Sequence, residues 1–414
     1  MCAIWKKEEY DPVILAKGLE SLRKENEAEG IEGIEGIEKY ESYTTVMHSS
    51  IEFLENIPEF EKRKIIFYSI KAAAKEGKIT PSTLIRNISK KEEEFIHLPF
   101  KKYVLATSLS FRYFDLIKRR IFKEGRLTFS SKLPNNFDLK PIIERVNRQF
   151  ANRLPRNYTK VRISVDARSE MEAVDKAFGV IDLLRGIWNL YLNRVCRIRI
   201  AAGNQPPPVN KILFGPVHTL HRKDGSLVNK EQYWFSSEYV KPIEPKNIKM
   251  DWNNINNTEK IVRRRLKNHL YRNKIEMLLR RYSRSLDTWD LYTSFIHLWS
   301  LLEQLTSTEK EPYKKTIKRT LFLFENKDYH RQILKHLKNY RNELVHAGYQ
   351  TEKIETLVYQ LKIYVENLFF FHISNRMGFS SVEEASEFLN LSTDIKTIRK
   401  KILLFRKGEK FLNI

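Results

Sequence analysis

Cysteine is nearly absent from this 414-residue chain: only Cys2 and Cys196 occur. A disulfide framework and a cysteine-based zinc cluster are thereby excluded. No apolar run approaches the ~20 residues a membrane-spanning helix requires, so no membrane partner is expected. The start, Met1 to Glu9, lacks the apolar core of a signal peptide, and a cytoplasmic location is the default expectation. Acidic residues are the scarcer charge: 74 Lys and Arg stand against 51 Asp and Glu, a net charge of +23. A surplus of that size points to a polyanionic partner, nucleic acid or an anionic membrane surface, and without a spanning segment nucleic acid is the favoured one.

Apolar content of 42% with 30% charged residues fits a globular chain long enough for two or three domains. Residues 1–133 read as mostly helical, with helical apolar spacing over 12–27 and 51–75 and a helix over 100–122 ending in Lys118-Arg119-Arg120. The Glu-Gly-Ile triplets of 29–38 place glycine too often for a helix and read as an acidic loop. Residues 134–255 read as α/β. Pro134 to Asn157 is linker-like around a short helix, 161–165 and 195–200 alternate as strands, and Ser169 to Leu192 is a helix. Residues 203–208 read as a loop. Asp224-Gly225 predicts a hairpin between 212–221 and 227–235. His218 and His221, three apart in a strand, face opposite sides and cannot converge on one metal ion. No metal or cofactor is expected.

Asp251 to Thr258 is Asn-rich and reads as a boundary, with a helix cap at Thr258. A basic helix follows from Glu259 to Arg284. Its cations Arg263, Arg264, Arg265, Lys267, Arg272, Arg280, Arg281 and Arg284 are the best candidates for phosphate contacts, interleaved with Tyr271 and Tyr282. Residues 256–375 thus read as a helical bundle and 376–414 as a basic helical extension. The predicted fold is multidomain and predominantly α: an N-terminal helical region, a middle α/β segment with a hairpin, and the C-terminal bundle.

One stretch concentrates chemistry. In Asn339 to Gly348, Ile333, Leu337, Tyr340 and Leu344 upstream mark one helical face, and Gly348 stands where a helix stop belongs. At about 100° per residue His346 points away from that face, Asn342 lies one turn before it, and Arg341 sits on the shoulder. The preceding helix, from about Trp289 to Thr306, carries Glu303 on its apolar face between Trp299 and Ile296. A carboxylate there needs a partner, and Arg341 is the expected one.

Trp299-x-x-Leu302-Glu303-x-Leu305, then Arg341-Asn342-x-x-x-His346-Ala347-Gly348, with the basic helix ending Leu278 to Leu286, resembles the HEPN superfamily, in particular its Apea-like branch. The likeness covers about residues 255–375 and implies a dimerising helical bundle with metal-independent endoribonuclease activity of a host-defence or toxin kind. It implies Arg341 and His346 as the motif pair and Asn342 as the polar position after the arginine. RNA, a second copy of the chain, and an inhibitory or activating protein or phage component are the expected partners. The alternative is a non-catalytic basic RNA-binding or regulatory protein that uses the bundle only to dimerise.

Overall fold

The computed structural model describes residues 3–6, 10–28, 37–54, 57–137, 139–150, 155, 157–194, 208–236, 243–348 and 353–412. It is predominantly helical, with one six-stranded antiparallel sheet in the middle of the chain.

The first layer is helical. Strand β1 (Ile4–Trp5), helices α1 (Pro12–Ala28) and α2 (Ile37–Ser50), strand β2 (Ile51–Glu52), and helices α3 (Glu59–Lys75) and α4 (Pro81–Ile96) enclose a core of Leu19, Met47, Ile66, Ile70, Leu84 and Ile88. α4 starts where Thr80 and Thr83 form a reciprocal capping box ahead of Pro81, which satisfies amides the helix cannot bond itself. The triplet-repeat segment falls largely on 29–36, outside the described residues.

The next stretch corrects the sequence reading. Residues 100–122 are not a helix: they form β3 (Lys101–Leu109) and β4 (Arg119–Ile121), which with β5 (Arg126–Ser130) join the sheet. β3 lies between two neighbours and is buried continuously from Tyr103 to Thr107, so it lacks the alternation that marks a half-exposed strand. Its partners come from residues 159–167 and 219–222, a pairing no local window contains.

The linker-like region carries α5 (Lys140–Phe150), and Phe137 beside it packs on Val104 and Ala106 of the sheet. β6 (Thr159–Ala167) alternates as expected, burying Val161, Ile163 and Val165. α6 (Glu170–Leu192) follows, capped by Ser169. β7 (Val217–Arg222) and β8 (Trp234–Phe235) close the sheet in the order β4-β5-β6-β3-β7-β8. The predicted hairpin turn forms at Arg222 to Ser226, with Gly225 at φ 95°. The strand expected at 195–200 lies outside the described residues.

α6 is the wall shared by sheet and bundle. Ala177, Ile181, Leu184 and Trp188 face the sheet, while Leu183, Ile187 and Leu190 face the helices beyond. A helix buried on all sides must be covered on all sides. A Cβ at Gly186 would stand 2.6 Å from the Leu279 carbonyl oxygen, so glycine permits this close crossing.

The bundle comprises α7 (Trp252–Lys267), α8 (Arg272–Ser285), α9 (Leu291–Leu305), α10 (Tyr313–Leu321), α11 (Lys327–Ala347), α12 (Ile354–Ser374) and α13 (Val382–Phe388), and α14 (Ile395–Leu412), which follows, buries none of its residues. Two readings are corrected here. Residues 251–258 are not a turn: α7 begins at Trp252, and Thr258 is inside it, because Trp252 and Ile255 anchor the helix in the sheet core and override the poor helix preference of asparagine. The basic helix of 259–284 is two helices, broken around Asn268 to Tyr271. α9 is central, with Phe295, Leu298 and Leu302 buried against α12, whose Leu357, Val358, Leu361, Val365 and Leu368 form the expected stripe. No helix among the described residues is long and apolar enough to cross a membrane.

Candidate functional site

α11 carries the motif. Asn326 caps its start by accepting from the Tyr329 amide, and Gly348 stops it in the left-handed conformation, φ 62°, its amide bonded to the Glu343 carbonyl. Leu334, Leu337 and Tyr340 are buried, with Ile333 and Leu344 partly so. That anchoring leaves Arg341 and Asn342 half-buried and His346 exposed in the last turn, as the helical wheel requires. Asn342 Oδ1 is buried with no hydrogen-bond partner among the described residues.

The expected Glu303–Arg341 ion pair does not form. The Glu303 carboxylate is held by its own helix instead, accepting from Trp299 Nε1 at 2.8 Å. Arg341 places its guanidinium over the Tyr313 ring, 5.3 Å from the centroid. Tyr313 in turn meets Trp299 edge-on at 5.9 Å. Carboxylate, indole, phenol ring and guanidinium therefore form one connected row across α9, α10 and α11. Burial pushes the Glu303 carboxyl above its ordinary range, opposed by the Trp299 N–H and by the charge of Arg341. The two groups are coupled through space without touching. The sequence reading missed Tyr313, which has no spacing relation to the motif. It could have found the Trp299–Glu303 bond, since four residues apart is one helical turn.

The eight candidate phosphate-binding cations divide by their partners. Arg263 donates to Glu259 at 3.1 Å, Arg272 to Glu276 at 2.6 Å, Arg280 to Glu124 at 3.1 Å and Arg284 to Asp182 at 2.6 Å. Arg281 donates to the Gln304 side chain at 2.7 Å. Arg264, Arg265 and Lys267 are exposed, with no acidic partner within ion-pair distance among the described residues. Arg263, Arg264, Lys267 and Arg272 share a cleft of about 480 Å³ beside Phe122 and Lys123, together with Glu259 and Glu276. Arg280, Arg281 and Arg284 lie outside it.

His218 and His221 occupy opposite faces of the sheet. His218 bonds Thr107 at 2.7 Å and packs on Phe178, whereas His221 bonds Thr219 and the Gly225 carbonyl, both at 2.8 Å, and packs on Phe137. Both ring nitrogens of His221 are hydrogen-bonded, and His218 is buried between aromatic rings. Among the described residues no three His, Cys, Asp or Glu side chains are grouped to hold a metal ion.

Comparison with protein-family models, with curated proteins and with solved structures found no match to this chain.

Proposed function

We propose that the protein is a metal-independent endoribonuclease of the HEPN type, acting in defence or as a toxin, with Arg341 and His346 as its working pair. The observation that carries this reading is the placement of Arg341. A guanidinium lying on Tyr313, in no ion pair among the described residues, keeps its donors available for two phosphoryl oxygens. His346, exposed on the same helix, is free to exchange protons with substrate.

In this mechanism the RNA 2′-oxygen attacks the adjacent phosphorus and the bond to the 5′-oxygen breaks. One proton leaves the 2′-hydroxyl and one reaches the departing 5′-oxygen, giving a 2′,3′-cyclic phosphate and a 5′-hydroxyl. One histidine per chain serves one of these transfers, and a two-fold dimer supplies the second. Asn342 orients the pair, and Glu303 acts on Arg341 only through its field.

Purified protein incubated with RNA in EDTA, beside Arg341→Ala and His346→Ala, tests the reading. Cleavage by the parent alone with cyclic phosphate ends is expected; cutting that persists in both variants removes the motif from the chemistry. The rival reading, a non-catalytic RNA-binding protein, draws on the exposed Arg264, Arg265 and Lys267, and predicts RNA binding with no cleavage by any of the three proteins.

A further inference from the structure

A groove of about 820 Å³ runs between α10 and α11 and ends at Tyr313, the ring on which Arg341 lies. Its floor is apolar, made by Ile317, Leu321 and Phe322 with Leu389 and Leu391 from beyond α13. Its walls are cationic: among the described residues six Lys or Arg line it, and no Asp or Glu does.

The cations are ordered. Lys327, Arg331, Lys335 and Lys338 of α11 line the groove at intervals of four, four and three residues, which is one ridge of a helix. Arg341 stands three residues further along the same ridge. At about 1.5 Å per residue the row from Lys327 to Arg341 is roughly 21 Å long. Lys314 and Lys318, one turn apart on α10, form the facing wall. Lys314, Lys318, Lys335 and Lys338 have no ion-pair partner among the described residues; Arg331 is bonded to Asp328 and Lys327 to Thr393. Lysines held this close together repel one another, and a ligand carrying regularly spaced negative charge relieves that cost.

We propose that this groove is the substrate track of the proposed nuclease, and that it takes single-stranded RNA. Phosphates run along the α11 ridge toward Arg341, and unpaired bases lie on the apolar floor beside Phe322 and Tyr313. An apolar floor between cationic walls suits a strand whose bases are free to leave water, and a duplex offers it none. This inference rests on the ribonuclease reading for its direction, but binding alone tests it.

The experiment uses the full chain carrying His346→Ala, in EDTA, with a fluorescent 12-nucleotide RNA offered single-stranded, as a duplex, and against free adenosine monophosphate as competitor. Lys335→Gln with Lys338→Gln is compared with the parent across a salt series, with thermal melting as the folding control. Because both lysines are unpaired, the melting temperature stays unchanged. The single strand is expected to bind at least tenfold tighter than the duplex, and the double variant to flatten the slope of log affinity against log salt by about 1.4, from ~0.7 per lost phosphate contact. Ultraviolet crosslinking is expected to map to Tyr313 or Phe322. An unchanged slope, equal binding of duplex, or a monophosphate that competes as well as the strand overturns the track. If the protein with His346 intact cuts RNA but the slope is unchanged, the track fails and the nuclease stands. If the slope falls but the protein with His346 intact never cuts, the track stands and the nuclease fails.

Discussion

Arg185 of α6 and Asp287, just beyond α8, are joined by two parallel hydrogen bonds of 3.0 and 2.8 Å, with the arginine wholly buried and the aspartate 3% exposed. The same guanidinium donates to Asp182 at 2.6 Å, and Asp182 also accepts from Arg284 at 2.6 Å. This row fastens the sheet layer to the bundle. Asp287→Ala leaves a buried guanidinium short of a counter-charge, so a loss of about 3–5 kcal/mol is expected. Urea denaturation measures it; a loss below 1 kcal/mol shows that the joint does not hold the two layers together.

Tyr313 supports the motif arginine. On the proposed ribonuclease reading, Arg341→Ala forfeits a phosphoryl contact and is expected to lower RNA cleavage by about 10²–10³-fold, the size of one lost transition-state donor. Tyr313→Leu keeps the arginine but removes its platform, with an expected loss of roughly tenfold. Single-turnover rates on one defined RNA order the two. Equal losses would instead make Tyr313 part of the reacting site.

Acid stability follows from two buried histidines. Burial holds the His218 imidazole down to about 3 and that of His372 to about 4, against an ordinary value near 6.5. His372 stays neutral while it bonds Tyr271 at 3.0 Å and the Leu305 carbonyl at 2.7 Å. Between pH 4 and 6.5 the unfolded chain binds more protons than the folded one, so stability rises with pH across that window. Their contribution is complete above about 6.5, and full titration is expected to cost about 3 kcal/mol for His372 and about 5 kcal/mol for His218. Melting temperatures from pH 7.5 to 4 check this, and His372→Gln flattens the profile.

The exposed cations of α7 give a separable electrostatic signal. Replacing Arg264, Arg265 and Lys267 with glutamine removes charges that no acidic group pairs among the described residues. If all three meet phosphate, the salt slope of RNA binding falls by about 2 at ~0.7 per contact. Replacing Arg272 and Arg284, already bound to Glu276 and Asp182, is expected to change it by less. A reversed order shows that the paired arginines exchange their carboxylates for phosphate.

Much of the bundle was legible because its signals are local. The α11 face, its stop at Gly348, the exposure of His346 and the α12 stripe all follow from residues within a few turns of one another, and helical spacing reports them directly. The alternation of β6 and the Asp224-Gly225 turn are local in the same sense. Local spacing therefore fixes where these elements run and which way the motif side chains point. Residues 101–109 become a central strand only through tertiary pairing, since their partners stand fifty or more residues away. Tertiary contact also turns Asn-rich 252–258 into helix, since the burial of Trp252 outweighs propensity. And it gave Arg341 Tyr313 as its companion in place of Glu303. Charge complementarity nominated the carboxylate, but the Trp299 indole one turn away on α9 had already taken it. The ring that replaced it comes from α10, whose approach to α11 no spacing in the chain encodes.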